Sequence, residues 1–152
     1  MNSIKTIVSK IGGQSDSCGI YTAGSIEEKV LKYIIVKIKL KRVYEPYTEV
    51  DGVRVLVDRL WPRGIKKEDQ RIDKWFKDVA PSNELRKWYN HDPEKFEAFN
   101  QKYRAEIEGA KALDELVDYI RQHKTVTLVF SSKEPKLNNA VVLSKIIEEH
   151  IA

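Results

Sequence analysis

The chain has few of the residues that build disulfide or metal sites. Its one cysteine, Cys18, among 152 residues excludes an internal disulfide framework and every zinc site that needs paired thiolates. The three histidines, His91, His123 and His150, are widely spaced and leave little for a metal cluster. Uncharged apolar runs are short, as at Tyr33–Val36, which excludes a membrane-spanning helix. No charged-then-apolar segment opens the chain, so it carries no visible secretory signal. These absences read as a cytoplasmic protein with no membrane partner. Several chemistries are absent as motifs. There is no Gly-x-Gly-x-x-Gly, no Gly-x4-Gly-Lys-Ser/Thr, no His-Glu-x-x-His and no Gly-x-Ser-x-Gly. Common nucleotide loops, zincin chemistry and serine-hydrolase chemistry are disfavoured accordingly, and no metal or cofactor is implied.

What is present suits one folded domain. Apolar residues make up 41% of the sequence, enough for a core at this length. The 27 Lys and Arg against 23 Asp and Glu give a net charge of +4. The excess is local. Residues 36–67 hold nine basic side chains and four acidic ones. Such a block serves a phosphate-bearing ligand, nucleic acid or an acidic partner. For Lys37, Lys39 and Lys41 a solvated strand edge is the simpler reading.

Periodicity sets the elements. Residues 1–24 read as loop, Cys18 within it as a bystander thiol, and Ser25 with Glu28 has capping-box spacing for a short helix. Val36-Lys37-Ile38-Lys39-Leu40-Lys41 alternates as a strand with one wet face, placed at about 34–44. Asp51-Gly52 marks a turn. Val53-Arg54-Val55-Leu56-Val57 is a more apolar, more central strand. Ser82 and Asp92 are helix starts. Phe96, Phe99, Tyr103 and Ile107 share one helical face, and Leu113, Leu116, Val117 and Ile120 another. Thr125–Phe130 is a third strand, followed by a last helix over about 138–150. The order is α/β: a small domain with a mainly parallel sheet and helices packed on it, the third strand fed by a right-handed helical crossover. The link between the first two strands does not fix their relative direction.

The chemical signal is Asp58-Arg59-Leu60-Trp61-Pro62-Arg63-Gly64, just past the carboxyl end of the second strand. Ligands of open α/β sheets bind there. The arginine forks suit phosphate or carboxylate, and Asp58 could hold one of them in a bidentate pair. Trp61 is the anchor that fixes the loop. His91 reads as exposed and without a catalytic role.

The string Val55-Leu56-Val57-Asp58-Arg59-Leu60-Trp61-Pro62-Arg63-Gly64 resembles the hallmark of the YeaO-like family, a bacterial and archaeal domain of unknown function (DUF 488). Lys41-Arg42-Val43-Tyr44, Ala80–Tyr89 with His91-Asp92-Pro93, Thr127–Lys133 and Asn138–Leu143 resemble its other segments. The likeness covers 36–152 and leaves 1–35 as an N-terminal extension of loop plus short helix. It implies a compact α/β domain without an established activity. Some relatives carry a histidine where this chain has Asn139, which argues against proton-transfer catalysis here. It also implies convergence. Arg42, the Asp58–Arg63 loop and the Ser131–Asn139 loop would meet at one sheet edge. Arg42, Asp58, Arg59, Trp61, Arg63, Ser131, Lys133, Asn138 and Asn139 are the candidate ligand-binding residues, with Arg86 and Trp88 packing over the same pocket. Three functions follow: a binding or catalytic pocket for a small phosphate- or carboxylate-bearing anion, a nucleic-acid module using 36–67 with Trp61 or Tyr47 to stack on bases, or a non-catalytic adaptor.

Overall fold

The computed structural model describes residues 36–152. The expected loop around Cys18 and the helix opening at Ser25 lie outside the described residues. Among the described residues four parallel strands form one sheet in the order β1-β4-β2-β3. They are β1 (Lys37–Arg42), β2 (Val53–Leu56), β3 (Lys74–Trp75) and β4 (Thr125–Phe130). The helices are α1 (Asn83–Tyr89), α2 (Phe96–Ile107), α3 (Lys111–Arg121) and α4 (Asn139–Ile151). The direction left open by the sequence is settled: β1 and β2 both run parallel to β4, which lies between them. β3 was not expected. Two residues are too short to show a period, and the strand exists through its pairing with β2.

The register assigns each residue to a face. Arg54 and Leu56 lie beside Thr127 and Val129, and Lys39 and Lys41 beside the same two residues on the other flank. Val55 pairs with Leu128, and both are fully buried. Val126, Leu128 and Phe130 form the row that the helices cover, with α4 against β1 and β4. On the opposite face Val43, Leu56, Ile65, Ile72 and Val129 cluster. Trp61 and Trp75 pack against them edge to face, 5.4 Å apart. Among the described residues, loops close this side of the sheet.

One polar group crosses it. Arg54 is fully buried in the central part of β2. Its Nη1 donates to Asp51 Oδ2 at 3.0 Å, its Nε to the Arg71 carbonyl at 2.8 Å, and its Nη2 to the carbonyls of Val43 and Glu45 at 3.2 and 2.9 Å. Asp51, 1% exposed, also receives Lys41 at 3.1 Å and the Thr48 amide and hydroxyl at 3.1 Å. Burial opposes its ionisation, yet the hydrogen bonds from Lys41 and Thr48 outweigh it and hold its pKa at about 2. Among the described residues β1 lies at the sheet edge and Lys37 is exposed, but Lys39 and Lys41 are half-buried beside the Asp51 carboxylate while Leu40 is exposed, so the expected wet lysine face is realised only in part. Gly52 follows at φ +63°, where a Cβ would lie 2.2 Å from the Thr125 carbonyl oxygen. Only glycine fits that approach.

Local signals fix the helix starts. Ser82 Oγ accepts from the Leu85 amide and Asn138 Oδ1 from the Val141 amide, each satisfying an orphan donor of the first turn. Gly109 at φ +76° breaks α2 from α3. No helix among the described residues is long and apolar enough to cross a membrane.

Candidate functional site

The site forms where the chain leaves β2 and β4 side by side. The Val57 amide still donates to the Val129 carbonyl at 3.2 Å, so Asp58 emerges next to the end of β4. Its Oδ2 accepts from the Ser131 amide at 2.8 Å and from the Ser131 hydroxyl at 2.7 Å. Asn139 Nδ2, at the start of α4, donates to the Val57 carbonyl at 3.1 Å and lies 3.4 Å from Asp58 Oδ1. Trp75 Nε1 holds the Asp58 carbonyl at 2.8 Å. Asp58 thus stitches the two loops together. The expected pair between Asp58 and an arginine does not form. Ser131 fills Oδ2 of the carboxylate, and the Arg59 guanidinium is engaged by the Ala80 and Pro81 carbonyls instead.

Beyond β2 the chain runs to β3 on one flank, whereas β4 leads into α4 on the other. Diverging connections open a crevice at such carboxyl ends. Here a cavity of about 340 Å³ is lined by Asp58, Arg59, Ser131, Asn138 and Asn139, joined by Arg86, Tyr89 and His91 from α1 and the turn after it. Arg59 donates from Nε to the Pro81 carbonyl and from Nη2 to that of Ala80, both at 3.0 Å. It fixes the segment that begins α1. Arg86 is exposed, and its hydrogen bond, to Asn83 Oδ1 on its own helix, is long at 3.4 Å. Asn90 at φ +46° and His91 at φ +55° are consecutive left-handed residues, an arrangement that non-glycine residues adopt rarely. This turn brings His91 to the cavity. Its place there was not expected, although its exposure was.

The walls are braced from behind. Tyr89 stacks on Phe99 at 4.3 Å and donates to the Leu137 carbonyl at 2.6 Å. Burial, then the nearby Glu134 and Asp92 charges, push its pKa up. Tyr103 donates to the Val79 carbonyl, and burial, then the Asp58 and Glu106 charges, raise its pKa strongly. Both hydroxyls stay protonated as fixed donors. Asn138 is buried, with Oδ1 capping α4 and Nδ2 donating to the Glu134 carbonyl at 2.7 Å. It contributes shape more than free hydrogen-bonding capacity.

Four candidates lie outside this lining. Arg42 donates from Nε to the Ser131 carbonyl at 3.1 Å and stacks on Tyr44 at 4.8 Å; it supports the β4 loop. Trp61 donates to the Ile65 carbonyl at 2.7 Å and plugs the loop-covered face, the anchor role expected of it. Arg63 and Lys133 are exposed, and the Arg63 carbonyl receives the Tyr44 hydroxyl at 2.9 Å. The basic block at 36–67 is likewise not one open face, because Arg54 is buried and Lys41 and Arg59 are engaged. Trp88, also expected over the pocket, lies on the surface under Lys95 and Lys102 at 5.1 and 5.2 Å.

Fold and site together define an open parallel α/β domain with a crevice of mixed polar and apolar lining at the carboxyl ends of its central strands. Residues 37–152 match the family model described as the inactive DUF488-N3 subclade, and the chain belongs to this YeaO-like DUF488 family. It is similar to an uncharacterised protein of Mycobacterium tuberculosis H37Rv, with 44% identity over 111 residues, 73% of this chain and 93% of that one. It is also similar to the uncharacterised protein YeaO of Escherichia coli K12, with 40% identity over 109 residues, 72% of this chain and 95% of YeaO. No solved structure matches.

Proposed function

We propose that the protein binds a small phosphate- or carboxylate-bearing molecule in this crevice without turning it over. The observation that carries the reading is the guanidinium of Arg86, held among the described residues by one long bond within its own helix, on a cavity shared with Arg59 and the polar loop after β4. Guanidinium forks match both oxyanions. Binding without catalysis is supported by the description of the matched family model as inactive.

The test is a thermal melt with and without phosphate. A ligand at about 100 times its Kd stabilises the fold by about 2.7 kcal/mol through mass action. The melting temperature should rise with phosphate in the natural protein, and Arg86→Ala should fold normally and lose the rise. A rise of equal size in Arg86→Ala would refute the assignment.

A further inference from the structure

The crevice carries charges of both signs that do not neutralise each other. Asp58 lies on its floor. Its Oδ2 is filled by the two donors of Ser131. Its Oδ1 faces the Asn139 amide at 3.4 Å, longer than an ordinary N–H···O bond, and that amide already serves the Val57 carbonyl at 3.1 Å. No salt bridge forms on Asp58 among the described residues. The floor is therefore rich in acceptors. Asp58 Oδ1 has lone pairs to offer, and the Ser131 hydroxyl, its proton committed to Asp58, adds an oxygen that can only accept. Arg86 and Arg59 line the same cavity, although the Arg59 guanidinium is engaged by the Ala80 and Pro81 carbonyls.

A bare anion suits this arrangement poorly. At the floor it meets the Asp58 carboxylate and is repelled. At Arg86 it is attracted, but it leaves the floor acceptors to water. A molecule with an anionic group at one end and a hydrogen-bond donor at the other satisfies both. Resting on the anion-binding reading above, we infer that the ligand is bifunctional, its phosphate or carboxylate directed to Arg86 and a hydroxyl or ammonium donor seated on Asp58. Hydrogen bonds to a charged acceptor are the stronger kind. An analogue lacking the donor should bind about tenfold more weakly, or worse.

Isothermal titration of the full chain with four probes tests this at fixed ionic strength: inorganic phosphate, propyl phosphate, glycerol 3-phosphate and phosphoethanolamine. The last two carry hydroxyl and ammonium donors on a skeleton close to that of propyl phosphate. At least one of them should bind about tenfold tighter than propyl phosphate or inorganic phosphate, and the tighter of the two identifies the donor. Asp58→Asn should shrink that advantage. Should Asp58→Asn fail to fold, the probe series on the natural protein decides alone. Equal affinity across all four probes, lost together in Arg86→Ala, would overturn the donor and leave the anion pocket standing. No Arg86-dependent binding of any probe would overturn both.

Discussion

Replacing Arg54 by methionine tests what holds the loop-covered face of the sheet. Methionine fills much of the arginine stem's volume but donates nothing. The substitution removes the partner of Asp51, a carboxylate 1% exposed, and strands the carbonyls of Val43, Glu45 and Arg71. Breaking a buried ion pair from one side costs about 3–5 kcal/mol, and each carbonyl left unpaired in the interior adds about 1 kcal/mol or more. Asp51 keeps Lys41 and Thr48, which softens the first figure. A loss of about 4 kcal/mol or more is expected, against a total stability of about 5–15 kcal/mol for domains of this kind. Urea unfolding at pH 7, followed by circular dichroism and by the fluorescence of Trp61 and Trp75, measures it. Arg54→Lys keeps the charge without the fork and should fall in between. In a double-mutant cycle with Asp51→Asn the two losses should overlap strongly, because both act on one pair. A loss below about 1 kcal/mol in Arg54→Met would show that the loops hold without this network.

Asp51, with a folded pKa of about 2 against an ordinary 3.8, contributes stability that is present above 3.8 and lost as the pH falls through about 2. Urea midpoints should drop over that window, and Asp51→Asn, already destabilised, should show a shallower drop; parallel curves for the two proteins would contradict the assignment. Leu128→Ala, at a fully buried position of the central strand, should cost about 2–5 kcal/mol in the same melts, and a much smaller loss would place β4 at the periphery. Gly52→Ala must both adopt a left-handed backbone and displace the Thr125 carbonyl, so a loss of at least about 2 kcal/mol is expected, with near-neutral behaviour as the contrary result. Arg59→Ala frees the carbonyls of Ala80 and Pro81 and should lower the melting temperature equally with and without phosphate, unlike Arg86→Ala.

The elements readable from sequence were those with a period or a cap. β4 was legible from six consecutive strand-forming residues, and α4 from the apolar positions after Asn138, which caps it. The site was legible where one strand delivers the residue directly. Asp58 follows β2 and Ser131 follows β4, so parallel pairing alone brings them together. Arg63 and Lys133 are of the right chemical type in the right loops, yet each stands some residues beyond its strand, where loop geometry rather than pairing aims the side chain outward.

Charge was the least transparent property, because a sequence lists cations without their partners. Arg54 counts toward a basic surface until its position is considered. It interrupts an apolar run, and Asp51 stands three residues before it. An ion that must enter a buried strand needs a partner close by, so that spacing was the available signal for a buried pair. Arg86 presents the converse case. Its place over the pocket comes from the family likeness, and nothing near it in sequence separates a solvated helix arginine from one on a cavity. The distinction arises only when Arg59 ties the segment before α1 to the loop after β2, and so turns α1 toward the crevice. The arginine buried for stability and the arginine proposed to meet a ligand are told apart by what already occupies their donors. That occupancy is a property of the fold, and the net charge of the segment does not report it.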